Sequence, residues 1–168
     1  MSNLSRFVGL AAALLISFAG HAEGDAAVGG IEVSGAWTRA TAPGQEQAGV
    51  DLSITSRQAA SLVGVSSPAA GSAELHSMTN EDGMMRMREV KSIELPAGKR
   101  VDLGASGYHL MLNELKAPLK EGDSVPLTLS IKVGAQNVAV IKTVAKVRSL
   151  HATSDEQHGD MHMQMKMQ

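Results

Sequence analysis

From Ser124 to Val133 the apolar residues Val125, Leu127, Leu129, Ile131 and Val133 alternate strictly with the residues between them. This is the signature of a strand with one buried face. Shorter runs of β character occur at Ile31–Trp37, Ala48–Ile54, Ser61–Val65, Ala73–Met78, Met85–Val90, Arg100–Leu103, Tyr108–Leu112 and Val138–Val147. Their spacing of about 8 to 12 residues is the rhythm of a sandwich or barrel. Between them lie Pro43-Gly44, Asn80 to Gly83, Pro96 to Gly98 and Glu121 to Asp123, where glycine and Asn or Asp side chains tolerate tight turns. No long helical periodicity competes, and neither a dinucleotide fingerprint nor a phosphate loop is present. The pattern predicts one all-β domain over residues 30–148.

The two ends differ from this domain. Residues 1–22 combine Arg6, an apolar run from Phe7 to Ala19, and the small residues Gly20 and Ala22, the layout of an export signal cleaved near Ala22. The apolar run is shorter than the roughly 20 residues that a membrane span requires. The mature chain is therefore expected to be soluble, without a membrane span, outside the cytoplasm. The sequence contains no cysteine, so it offers no thiol for the acyl attachment of bacterial lipoproteins. Residues 23–29 are expected to form a short flexible lead-in. Residues 149–168 are polar and rich in His and Met, and are expected to be a disordered tail.

Composition narrows the picture further. Both phenylalanines, Phe7 and Phe18, lie in the leader, leaving Trp37 and Tyr108 as the only other aromatics. The core must then be aliphatic, with Trp37 expected to be buried in it. The net charge of −2 supplies no basic field for nucleic acid.

Histidine and methionine are not scattered. Past Met1, five methionines fall between residues 78 and 111 (Met78, Met84, Met85, Met87, Met111) and four in the tail (Met161, Met163, Met165, Met167). His76 and His109 bracket the first group, and His151, His158 and His162 accompany the second. Gap-filling core methionines would be spread through the strands. Alternation along a strand puts His109 and Met111 on one face and Leu110 and Leu112 on the other, and likewise groups His76 with Met78 and Met85 with Met87. A turn at Asn80 to Gly83 would bring His76 within reach of Met87. Thioether is a soft, neutral donor suited to Cu(I), and imidazole serves both copper states. A blue-copper electron-transfer site would need a cysteine ligand, and no HExxH zinc motif is present.

The series His76, ten residues, Met87, twenty-one residues, His109, one residue, Met111 resembles the H-x10-M-x21-H-x-M motif of the PCu(A)C-type periplasmic copper chaperones. The resemblance extends through Ala36-Trp37, Ala42-Pro43-Gly44, Glu74-Leu75-His76, Gly83 to Val90 and Tyr108 to Pro126. It implies a cupredoxin-like Greek-key β-sandwich or barrel that holds Cu(I) on His76, Met87, His109 and Met111. It further implies delivery of copper by ligand exchange to the dinuclear copper site of cytochrome c oxidase subunit II, together with a Sco-type protein. Met78, Met84 and Met85 are expected at the rim of the site. Tyr108 is expected to pack beside His109. Ala105-Ser106-Gly107 replaces the Pro-Gly-Gly of many relatives, so the loop entering the last ligand strand is expected to be less rigid.

The tail residues His151, His158, Met161, His162, Met163, Met165 and Met167 are expected to form a weaker, secondary metal site. Asp160 adds an oxygen donor that favours Cu(II), and chelation must offset about 1 to 2 kcal/mol of ordering entropy per fixed residue. The resulting expectation is a monomeric copper carrier and not an enzyme. The alternative is a copper buffer that sequesters metal without a specific acceptor.

Overall fold

The computed structural model describes residues 25–81, 83–135 and 137–151. Eleven strands form the structure: β1 (Ala26–Val28), β2 (Ile31–Arg39), β3 (Ala48–Ser56), β4 (Ala60–Ser66), β5 (Ala70–Glu81), β6 (Met84–Glu89), β7 (Ile93–Leu95), β8 (Arg100–Leu103), β9 (Tyr108–Leu115), β10 (Ser124–Val133) and β11 (Asn137–Arg148). All nine strands predicted from the sequence are present, most of them a few residues longer. The two additions, β1 and β7, have three residues each and are too short to show a period.

The hydrogen-bonded path runs β6-β5-β9-β3-β2-β11-β10-β4-β7 and does not close, with β1 beside β2 and β8 beside β3. All of the pairings are antiparallel except that of β11 with β2, which is parallel over Trp37–Arg39 and Lys146–Arg148. The long β10–β11 hairpin follows the predicted alternation: Val125, Leu127, Leu129 and Ile131 are at most 2 % exposed. Together with Ile54, Leu62, Ile93, Leu95, Leu110, Leu112 and Ile141 they form one aliphatic core cluster. Removing such chains from water stabilises a fold by about 1.5–3 kcal/mol each, which lets this core form without phenylalanine.

One irregularity decides what faces the site. Ser34 pairs with Ser53 and Trp37 with Asp51, so β2 spends three steps where β3 spends two. Gly35 absorbs the extra residue at φ +61°, a left-handed conformation that costs glycine little. Past this bulge the alternation of β2 is inverted. Trp37 is buried, as expected, but on the side of the sheet that carries Asp51. Its indole lies beneath guanidinium groups, with Arg148 4.5 Å and Arg39 5.5 Å from the ring centroid.

Candidate metal centre

Three adjacent strands bring the sequence-predicted residues together. In the β5–β9 ladder His76 stands directly opposite His109, and Glu74 opposite Met111. In the β5–β6 ladder Met78 stands opposite Met87, Asn80 opposite Met85 and His76 opposite Glu89. Directly paired side chains share a face, with Cβ atoms about 4.5–5.5 Å apart. His76, His109, Met111, Met78, Met87 and Met85 therefore all project from one face. The opposite face carries Leu75, Leu110 and Leu112, which are buried.

The β5–β6 hairpin turns where the sequence predicts. Glu81 pairs with Met84, and Asn80 Oδ1 accepts a hydrogen bond from the Gly83 amide at 3.0 Å. Beyond β6, the Val90 amide donates to the Leu75 carbonyl at 2.8 Å. The loop entering β9 is pinned by bonds from the Gly104 amide to the Tyr108 carbonyl and from the Ser106 amide to the Asp102 carbonyl. The expectation for Tyr108 is corrected here. It alternates with His109, lies on the core side with Leu110, and packs against the aliphatic cluster; the same period of two that groups His109 with Met111 separates it from them.

His76 shows how such a face could hold a metal. Its Nε2 lies 2.8 Å from Glu74 Oε2, which assigns that nitrogen as the donor when the ring is neutral. The other nitrogen, Nδ1, is buried and has no hydrogen-bond partner. A buried acceptor left unmet costs about 1–3 kcal/mol. A carboxylate on one imidazole nitrogen and a free lone pair on the other is the arrangement that orients a metal-ligating histidine. Among the described residues, no three His, Cys, Asp or Glu side chains converge as a metal cage, so a metal held here would require thioether sulfur. Met111 is placed to supply it: its Sδ rests over Gly49 on β3, where an added Cβ would stand 3.7 Å away.

Beyond His109 the face continues into a cleft of about 510 Å³, lined among others by Trp37, Arg39, Asp51, Arg100, His109 and Leu150. Asp51, one strand over from His109, has its carboxyl pushed above the usual carboxylate range. Burial raises it, while Arg39, His109 and Arg148 pull it partly back. Nearer the cleft mouth, Asp102 accepts from Ser53 Oγ and Arg100 Nε, and these bonds hold its pKa down.

Of the rim candidates, Met78 is half-buried beside His76, whereas Met84 and Met85 are 57 % and 60 % exposed and Met87 47 %. Met84 alternates with Met85 and belongs to the other face. His151 is exposed at the end of the described chain. His158, Met161, His162, Met163, Met165 and Met167, like the export signal, lie outside the described residues. The sequence reading missed Glu74 and Asp51, which acquire meaning only once the strands are paired.

The LpqE-like family model matches residues 31–142, which is most of the chain and includes all four residues of the spaced motif. The chain belongs to the LpqE-like family, of the PCuAC type. A relative, Lxx21020 from Leifsonia xyli subsp. xyli (strain CTCB07), is named as a lipoprotein. It is 36 % identical over 113 residues, 67 % of this chain and 68 % of the relative. Among solved structures, the apo PCuAC domain of PmoF2 superposes with a TM-score of 0.61 at 22 % identity, covering 77 % of this chain and 98 % of that one. The Cu(I) form of DR1885 from Deinococcus radiodurans gives 0.52 at 30 % identity, covering 68 % and 75 %. The PCuAC neighbours share the cupredoxin-like β fold expected for this sequence.

Proposed function

We propose that this LpqE-like protein is an exported copper carrier that holds Cu(I) on His76, His109, Met87 and Met111 and passes it on by ligand exchange. The observation that carries the reading is the buried, unpartnered Nδ1 of His76, set on the same face as His109 and the thioethers while Glu74 engages Nε2. The Cu(I) form of DR1885, at 30 % identity, supports the choice of metal and oxidation state. Two neutral sulfurs and two imidazoles suit a soft monovalent ion, and methionine needs no deprotonation to bind. Copper is the cargo, and no substrate bond is made or broken, so the protein is a carrier and not an enzyme. The lipoprotein name of a relative supports an envelope location, although the cysteine-free sequence offers no thiol for acylation.

We further propose that the acceptor is the dinuclear copper site of cytochrome c oxidase, reached with a Sco-type partner. An anaerobic Cu(I) titration of the full chain against a coloured chelator tests the binding step. One tight equivalent is expected, lost in His76→Ala and Met111→Ala with the apo melting curve retained. Unchanged affinity in both variants would sink the assignment. A deletion strain tests delivery: low oxidase activity at limiting copper is expected, whereas sensitivity only to excess copper would indicate a buffer.

A further inference from the structure

Two routes lead along this face to the His76–His109 pair. One crosses the cleft beside Asp51, where Arg39 and Arg148 stand over Trp37 and Asp51 feels both as positive charges. A monovalent cation entering there must pass two guanidinium groups that already engage the Asp51 carboxylate. The other runs along the β5–β6 hairpin. On the site side of β6 the residues are Met85, Met87 and Glu89, facing Asn80, Met78 and His76 in register. Arg86 and Arg88 alternate onto the other side and are ion-paired with Glu81.

Along the hairpin the sulfurs form a graded series. Met85 is 60 % exposed, Met87 47 %, Met78 half-buried, and the His76 side chain only 19 % exposed. Met85 and Met87 are one two-residue repeat apart, about 6.8 Å. Met87 and Met78 are direct cross-strand partners, about 5 Å apart at Cβ, and Met78 and His76 are again one repeat apart. These spacings lie within the reach of flexible methionine side chains that meet at a shared ion. β6 is also the terminal strand of the sheet path, with all six residues exposed, so an acceptor can approach it from the side.

We infer that Met78, Met87 and Met85 form a thioether relay by which Cu(I) enters and leaves the site at the hairpin edge, passing along the three sulfurs in order of increasing exposure as copper moves outward. The inference rests on the copper-carrier reading above. Each step forms one Cu–S bond as another Cu–N or Cu–S bond breaks. Copper stays in the +1 state, and no proton or electron is transferred.

The test uses the full chain loaded with Cu(I), with release to a coloured Cu(I) chelator followed anaerobically by stopped flow. Met78→Leu/Met85→Leu keeps the apolar bulk and removes the sulfurs. Its equilibrium affinity is expected to stay within about threefold of wild type while release slows by about tenfold or more. Met84→Leu, on the other side of β6, is expected to release at the wild-type rate. Wild-type release in the double variant, or slowing no larger than its change in affinity, overturns the relay. Loss of affinity by more than about tenfold in Met78→Leu overturns it too, making Met78 a primary ligand. Failure of the wild-type chain to take up Cu(I) is a separate result that removes the copper reading itself.

Discussion

At the scale of single residues, His76 is held in a state that has a use only if something binds it. Glu74 occupies its Nε2 and the fold buries its Nδ1 without a partner, so the apo protein bears the cost of an unmet acceptor. Glu74 should therefore govern copper affinity without contributing much to folding, since its carboxylate is partly exposed. Glu74→Leu is expected to weaken Cu(I) binding by about 10- to 100-fold. Glu74→Gln, whose amide oxygen can still accept from Nε2, should restore most of that loss. The imidazole nitrogen shifts in an NMR spectrum distinguish this from general disruption. Wild type and Glu74→Gln should show the proton on Nε2 of His76, and Glu74→Leu a mixture of tautomers. Equal affinity in all three would mean that Glu74 is a bystander.

At the scale of elements, the strands were legible because alternation, β-like composition and turn residues are local properties, and nine of the eleven followed from them. The four spaced positions were legible through their resemblance to the PCu(A)C-type motif, while period two fixes which of Leu110, Met111 and Leu112 turn inward. What alternation cannot supply is the neighbour across a ladder, so Glu74 and Asp51 stayed silent until register set them beside Met111 and His109. Nor can it announce a bulge, which is why the face of Trp37 was invisible in the sequence. A single glycine controls that outcome. Gly35→Val places a β-branched residue at φ +61°, which costs about 1–3 kcal/mol. Denaturant unfolding should register that loss. If the strand relieves the strain by expelling the bulge, Trp37 moves toward the core side and its fluorescence loses the influence of Arg39 and Arg148. Unchanged stability and emission would show that another residue absorbs the extra step.

At the scale of the whole molecule, the sheet divides its labour: the aliphatic face provides stability, and the other gathers charged and soft groups at some cost to it. Asp51 makes that cost measurable. Its pKa is raised above the ordinary 3.8, chiefly by burial, so the folded state holds the proton more tightly than the unfolded chain does. Its contribution to stability is then most favourable below pH 3.8, declines as pH rises through the raised folded value, and remains unfavourable at neutral pH. Asp102 has the opposite sign, stabilising above 3.8 and losing that effect as pH falls through its lowered value. Because Asp102 is unchanged in an Asp51 variant, comparison with wild type isolates Asp51. Apo Asp51→Asn is expected to melt above wild type at pH 7, with the gain shrinking toward pH 4. A lower melting temperature at pH 7 would mean that attraction to Arg39, Arg148 and His109 outweighs desolvation. If Cu(I) binds at His109, it brings a positive charge next to this carboxylate and recovers part of the burial cost. The same variant should therefore bind Cu(I) more weakly although its apo form is more stable, which separates an electrostatic role in metal retention from a structural one.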